Sequence, residues 1–296
     1  MKNFNEIYQK IYEENHTYIH NLRQKNIVRS TLITLIFIIL SIPTAIHFSL
    51  LIALTFDIVI AIVIFLNPFF NDYNKKYKST IITSLVKNYD NNLRYNPTGM
   101  ISKIHYDNAD FEPYTEYNAN DYVSGLIDGE IDFHMGDIHT TYVTENENGT
   151  HNRTTIFKGL FSASQLNKTI TDIIKIRLDS KLLNKELSNP DKLNMDSQEF
   201  EKYFNVFSKD KILAMRILTS DIIDFILTFK KENNIKFEIT IKRNMLYIRI
   251  HCKNIFETNV FKNPLDFNTL HKYFKYLDFM CTLNKKLNRV LNEKDL

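Results

Sequence analysis

The 296-residue sequence predicts an α+β protein hung from a two-helix transmembrane hairpin. Three observations carry that expectation. The stretch 27–70 contains two apolar runs, 27–42 and 50–66, and between Arg29 and Lys75 lie 45 residues without a Lys or Arg. Several segments between residues 100 and 250 alternate apolar and polar side chains, the period of half-buried strands. Near the C-terminus, Phe267, Leu270, Phe274, Leu277, Cys281, Leu287 and Leu291 recur at helical spacing.

Composition narrows the partners. The chain holds 37 Lys and Arg against 34 Asp and Glu, a net charge of +3. Phosphate backbones need a concentrated basic face, so nucleic acid is not an expected partner. Two cysteines, Cys252 and Cys281, are too few for a disulfide framework and suit a reducing compartment.

Residues 1–26 read as an amphipathic helix. Phe4, Ile7, Tyr8, Ile11, Tyr12, Tyr18, Ile19 and Leu22 fall at three- and four-residue steps, interrupted at Asn15. Such a stripe needs a cover: the protein's own C-terminal part, a second copy or a membrane surface. The hairpin follows over 27–70, its runs joined by a turn at 43–49. A bilayer core takes about 20 apolar residues per helical crossing, so the stretch suits two crossings. A cleaved signal fits poorly, because the apolar stretch starts late and runs far past an h-region. Arg23, Lys25 and Arg29 precede it, Lys75, Lys76 and Lys78 follow it, and the loop has no base. The positive-inside rule then sets both termini in the cytoplasm, with the plasma (inner) membrane between. Phe69, Phe70, Tyr73 and Tyr77 form an aromatic belt at the exit, where Pro68 is expected to kink or interrupt the second helix.

Asp57 is the one acid inside the apolar runs, and folding the hairpin about residues 45–46 sets it opposite Thr34. An ionisable group in hydrocarbon costs several kcal/mol. Two readings fit: a protonated Asp57 hydrogen-bonded to Thr34, pinning the hairpin or a contact between protomers, or an oligomeric channel or transporter subunit with Asp57 in its pathway.

Residues 71–296 are expected to form a cytoplasmic α+β domain. Tyr73, Tyr77, Ile81, Leu85 and Tyr89 make a helix at steps of four, ended before the turn Asn96-Pro97-Thr98-Gly99. A β-rich segment covers roughly 100–179. There Ile131, Phe133 and Met135 share one face, Ile138 and Tyr142 the other, and Gly136 at the phase change predicts a β-bulge. A polar turn at 146–150 precedes strands over 153–161 and 170–178. The polar stretch 181–195 is a candidate subdomain boundary. Beyond it the pattern gives a strand at 200–208, a helix at 209–218 and a second helix capped by Thr219-Ser220. A hairpin across Lys242-Arg243-Asn244 and the long terminal helix complete the chain.

His134, Asp137 and His139 are the candidate metal ligands. With a bulge at Gly136 the three share one face, about 7 Å between neighbours at a 3.3 Å rise, and imidazole and carboxylate suit zinc or iron. The competing reading is the polar, solvent-facing side of a half-buried strand. The chain has no phosphate loop, dinucleotide fingerprint, nucleophile elbow or Cys-x-x-Cys pair. No cofactor is therefore expected beyond a divalent metal in that one reading.

Several ordered motifs add a resemblance. They are Asn92-Leu93-Arg94-Tyr95-Asn96-Pro97, Asp121-Tyr122-Val123-Ser124-Gly125, Phe157-Lys158-Gly159-Leu160-Phe161, the run Phe200 to Ser208, Arg216-Ile217-Leu218-Thr219 and Ile255-Phe256-Glu257. Their order and spacing resemble the bacterial membrane-protein family known as domain of unknown function 3137. The resemblance implies a two-pass inner-membrane protein with a cytoplasmic α+β domain, and no catalytic residue. After Phe161 the family usually reads an aromatic residue and then Asp-Phe-Asn, whereas this chain reads Ser162-Ala163-Ser164-Gln165-Leu166-Asn167.

The function expected from these readings is a membrane-anchored interaction, scaffold or regulatory module, in contact with the lipid bilayer and with a protein partner or a second copy. The alternatives are a membrane-bound metal-dependent hydrolase using His134, Asp137 and His139, and the Asp57 channel or transporter subunit.

Overall fold

Period-two alternation and helical stripes sort the chain into strands and helices, which a computed structural model places in space. It describes residues 3–47, 50–66, 68–145, 149, 151–179, 189–253, 255–258 and 260–293, without side chains at 40–41, 43–45, 47, 50, 53, 61–66 and 68–71. The chain divides into two units: residues 3–88 with 256–272, and residues 89–255 with the C-terminal segment from 273.

The first unit begins with α1, Phe4–His47, a single helix that joins the amphipathic segment to the first apolar run. It continues through Pro43 to His47, so most of the expected turn is helical, and residues 48–49 lie outside the described set. The second run forms α2, Leu50–Leu66. Next come α3, Pro68–Tyr77, a π-helical turn over Lys78–Ile82 and α4, Thr83–Tyr89. The π turn has a geometric purpose. Residues at steps of four drift by about 160° over sixteen residues of an ideal α-helix. The wider turn takes up that drift, and Tyr73, Tyr77, Ile81, Leu85 and Tyr89 are all buried.

The stripe on the first half of α1 is covered by the chain itself. Phe4 meets the Phe267 ring edge-on at 5.0 Å and stacks on His271 at 4.6 Å. The Tyr8 hydroxyl donates to the Leu265 carbonyl at 2.9 Å. Arg23 Nε donates to the Val260 carbonyl, and the Thr258 N–H donates to Asn74. Of the covers the stripe could have, its own C-terminal segment is the one found.

The second unit is built on one antiparallel sheet of nine strands among the described residues, in the order β1-β2-β3-β4-β9-β8-β5-β7-β6. The strands are β1 Leu93–Asn96, β2 Glu116–Ile127, β3 Ile131–Glu145, β4 His151–Gln165, β5 Ile174–Leu178, β6 Lys192–Leu193, β7 Phe204–Phe207, β8 Phe237–Lys242 and β9 Met245–His251. The helices are α5, Lys103–Asn108; α6, Gln198–Glu201; α7, Lys211–Ile217; α8, Ser220–Asn233; and α9, Phe267–Glu293, of which this unit takes the part from Tyr273. Residues 180–188, most of the candidate boundary, fall outside the described set, as does the 146–150 turn apart from Gly149.

One sheet face packs on α8 and α9. Phe229 of α8 stacks on Phe279 of α9 at 3.8 Å, and both meet Phe237 of β8. Phe237, Ile239, Ile241, Leu246, Ile248 and Ile250 are fully buried, as their alternation predicted. Asn284 of α9 donates to Ser164 Oγ and to the Gln165 carbonyl, tying the helix to β4.

Caps fix the short helices. Asp210 accepts the Leu213 N–H at 2.9 Å to start α7. Asp210→Ala should cost about 1 kcal/mol, read as a lower denaturant midpoint with an unchanged slope. Thr219 is the N-cap residue of α8, as expected, yet its side chain makes no capping bond.

Candidate functional site

The sheet's second face carries the unusual chemistry. Register puts Ile138 of β3, Phe157 and Phe161 of β4, Tyr247 and Arg249 of β9, and Glu238 and Thr240 of β8 on this side. Above them lie α5 and the segment that follows it. Ile101, Tyr106, Ala109, Ile138, Phe157, Phe161, Ala163 and Tyr247 form its buried cluster, with Phe111, Tyr114 and Tyr117 packed against them.

Arg249 is the centre of this face and is 2% exposed. Its Nη1 and Nη2 donate to Glu112 at 2.5 and 2.8 Å, and its Nε donates to Glu238, directly across the hairpin. The guanidinium also lies 4.1 Å from the Phe111 ring centre. Burial alone would weaken its basicity; the carboxylates Glu112 and Glu238 outweigh that and hold it well above the ordinary value. Burial pushes the Glu112 carboxyl up, but Arg249 outweighs burial and leaves it below the usual range. Arg177 donates to the Ile239 carbonyl and to Thr240 Oγ1, both at 2.9 Å, and lies 4.8 Å from the same Phe111 ring. Two cations thus clamp residues 110–112 onto the sheet.

Beside the clamp opens a cleft of about 450 Å³, lined among others by Asp110, Asp172, Lys175, Arg177, Asp191 and Ser208. Lys175 bonds Asp110 at 2.5 Å and holds that carboxyl below its usual range. Asp172 accepts from Ser208 Oγ and from the Asp210 N–H, each at 2.7 Å; burial pushes its carboxyl up, and these donors more than reverse the effect. The cleft therefore presents paired charges on a fixed frame, which suits polar recognition. The Ser208 hydroxyl donates its one proton to the Asp172 carboxylate at 2.7 Å and lies 3.1 Å from the Asp210 carbonyl, an arrangement that positions the loop.

The three expected metal ligands do not converge. Against β4, β3 keeps strict alternation from Phe133 to Thr140, so His134 faces one way and Asp137 and His139 the other. The bulge does occur opposite Gly136, but its extra residue is on β2: Asp121 and Tyr122 stand where one residue would. Gly136 serves packing instead, since a Cβ there would lie 2.9 Å from Ile101. His134 Nδ1 is 2.6 Å from the Tyr122 hydroxyl, its Nε2 is 3.1 Å from Asp132, and its ring stacks with His105 at 4.9 Å. Burial, and next the neighbouring His134, lower the His105 pKa. His139 bonds Thr155. Among the described residues no three His, Cys, Asp or Glu side chains could hold a metal ion.

In the helical unit the Thr34 hydroxyl donates to the Ser30 carbonyl of its own helix at 2.9 Å, and Asp57 is half-buried on α2. Among the described residues no helix is long and apolar enough to cross a membrane, so the transmembrane hairpin expected over 27–70 is not shown by the fold.

The sequence reading missed the Arg249 clamp. A signal was present: the hairpin turn pairs Lys242 with Met245, and counting outward brings Glu238 opposite Arg249. Opposite charges at paired inner positions of an apolar hairpin mark a buried ion pair.

The fold and these surfaces define an α+β module built on a nine-stranded sheet, with a separate helical unit that bears the apolar pair. Residues 155–289 match a family described as protein of unknown function (DUF3137), so the resemblance read from the motifs holds over that stretch. The motifs at 92–97 and 121–125 lie before it, yet they meet in space: Leu93 pairs with Gly125, and the Tyr95 hydroxyl donates to Asp121. Curated proteins give no match. A crystal structure of the mycobacterial trehalose monomycolate transport factor A, TtfA, is similar at 12% identity, over 74% of this chain and 93% of that one, with a TM-score of 0.38.

Proposed function

We propose that the protein is a bilayer-anchored interaction module. In this reading the apolar part of α1 and α2 lie in lipid as a two-pass hairpin, both chain ends are cytoplasmic, and the sheet unit engages a protein partner or a second copy there. The observation that carries it is the outward surface of the two helices. Leu32, Leu35, Ile36, Ile38, Ile39 and Ile42 of α1 are all exposed, as are Leu51, Ile52, Leu54, Phe56, Ile58 and Val59 of α2. At 100° per residue these positions sweep arcs of about 160° and 200°. An apolar surface this large is not left in water.

The polar groups in these helices support the same medium. Ser30, Thr31, Thr34 and Thr55 each donate to a carbonyl of their own helix, at 2.8 to 2.9 Å. Hydrocarbon demands such internal satisfaction. At 1.5 Å per residue the 17 residues of α2 reach about 26 Å, a few ångströms short of a typical core, a mismatch that bilayer thinning absorbs.

Labelling with a membrane-impermeant maleimide in a Cys252→Ser background tests the topology. Ile46→Cys should react in intact cells and Lys211→Cys only after lysis, while the chain stays in the membrane pellet at alkaline pH. Release by carbonate, or reaction of Lys211→Cys in intact cells, would overturn the anchoring reading. Solubilised in digitonin, the same protein should migrate above its monomer mass; a lone monomer would remove the partner half of the proposal.

A further inference from the structure

We infer that the first half of α1 carries a two-histidine site for a divalent transition-metal ion, made by His16 and His20. The site goes beyond the bilayer reading and does not depend on it. Side chains four residues apart on an α-helix sit one above the other, with Cβ atoms about 5–6 Å apart. Here the two rings lie 4.6 Å apart at their centres, tilted by 42°. Zinc holds imidazole nitrogens at about 2.0–2.1 Å, so two of its tetrahedral positions are about 3.3 Å apart. The edges of rings this close can reach that separation. Water would complete the shell, because among the described residues no third His, Cys, Asp or Glu joins the pair.

The surroundings favour this pair over the other histidines. Among the described residues neither imidazole has a hydrogen-bond or ion-pair partner, and both are partly open to solvent. His134, by contrast, engages both nitrogens, with Tyr122 and Asp132, and His139 bonds Thr155. Burial, and next His16 and Arg23, lower the His20 pKa, which leaves its lone pair free at neutral pH. The Arg23 guanidinium itself is held by the carbonyls of Val260 and Phe261. The backbone beneath the pair is fixed. Ile11 and Ile19 are fully buried, Asn15 donates to the Ile11 carbonyl at 2.9 Å and to Ser84 Oγ at 3.4 Å, and Ser84 donates to Glu14. Tyr12 packs on the N-terminal side of His16, 4.5 Å between ring centres. Ligands on a frame already ordered lose little freedom on binding. Imidazoles suit zinc, nickel and copper(II), whereas magnesium and calcium take oxygen ligands.

The test uses the full chain in detergent, purified without a polyhistidine tag, stripped of metal and titrated with zinc chloride in a calorimeter. One ion per chain should bind at this site. His16→Gln or His20→Gln should each weaken it by about a hundredfold, because the second imidazole binds intramolecularly once the first has bound. His20→Cys should restore zinc binding over His20→Gln, which a merely structural ring contact would not do. The double variant His139→Gln, His151→Gln should bind zinc as the parent does, and magnesium should not compete. Copper(II) bound in place of zinc should show two equatorial nitrogens by electron paramagnetic resonance. Zinc binding no tighter in the parent than in the His16→Gln, His20→Gln variant would overturn the site. So would a single Gln variant that binds as the parent does, a His20→Cys variant as weak as His20→Gln, equal loss in the His139→Gln, His151→Gln control, competition by magnesium, or a copper signal from one nitrogen.

Discussion

Arg249→Met should destabilise the sheet unit by about 3–5 kcal/mol, the cost of leaving a buried charge without its partner. Glu238, 7% exposed, would keep its carboxylate in the sheet without the guanidinium opposite, and Glu112 would lose the two bonds that Arg249 Nη1 and Nη2 donate to it. Denaturant unfolding of the full chain in detergent measures the effect. A triple variant, Arg249→Met with Glu238→Met and Glu112→Gln, should recover much of the loss, because an apolar set of similar volume often replaces an ion pair at little cost. A single variant as stable as the parent would show that the clamp adds nothing to stability. The clamp and the cleft beside it set a pH dependence. Glu112, Asp110 and Asp172 are all held below the ordinary carboxylate range in the folded chain. Their contribution is therefore complete above the unfolded-state pKa of about 4 and is lost as pH falls through the lowered folded values. The acid limb of the parent's stability curve should flatten in the triple variant.

Gly159→Ala is the second large effect. A Cβ at this position would lie 2.0 Å from the Ile250 carbonyl oxygen and 2.8 Å from the Cys252 nitrogen, and the backbone φ is +153°. Both atoms belong to the chain that pairs with β4, so the methyl group cannot be accommodated by a rotamer change. β9 must retreat, opening the ladder that runs from Gly159↔His251 to Gln165↔Met245. The expected loss is about 3–5 kcal/mol, with faster amide exchange concentrated around Gly159 in the middle of β4 and at the end of β9. Gly149→Ala makes the comparison. Its φ is +71° but a Cβ there meets nothing within 4 Å, so about 1 kcal/mol of backbone strain is all that is expected. Equal losses in the two variants would remove the steric argument.

These two positions mark what the sequence made legible. Gly159 sits in a motif that carried the family resemblance, and the reason for its glycine is a close backbone approach. The 237–250 hairpin was legible in full, because a short turn fixes register and alternation then fixes the faces. The strand content of 116–127 was hidden. Asn118, Asn120 and Asp121 break its alternation, and the bulge there is held by tertiary bonds, from Tyr95 to Asp121 and from the Asp121 N–H to Pro97. Local pattern correctly gave the level of that irregularity at Gly136 but not the strand that absorbs the extra residue. Asp121, at φ 55°, accepts the left-handed backbone, and β3 remains regular. That single difference separates His134 from Asp137 and His139. In the helical unit, the stripe over 73–89 was visible while its π turn was not, since steps of four look alike on either helix until the drift is counted. The first half of α1 advertised a face in need of cover. Its cover, residues 256–272, lies too far along the chain for any local signal to announce it.

That separation has a consequence for biosynthesis. The helical unit takes residues 3–88 and then 256–272, with the sheet-bearing stretch between them. A ribosome adding about 5–20 residues per second leaves an interval on the order of ten seconds or more between the two. Throughout it, Phe4 and Tyr8 have no Phe267 to meet, and the side of α1 that this segment covers faces the nascent chain's surroundings. The sheet unit has its strands in hand once β9 emerges, before the segment that covers the first half of α1 is made. Chaperone or membrane-insertion factors that shield an early amphipathic helix should therefore engage this chain for longer than its size suggests. Moving 256–272 ahead of residue 89 by circular rearrangement should shorten that engagement.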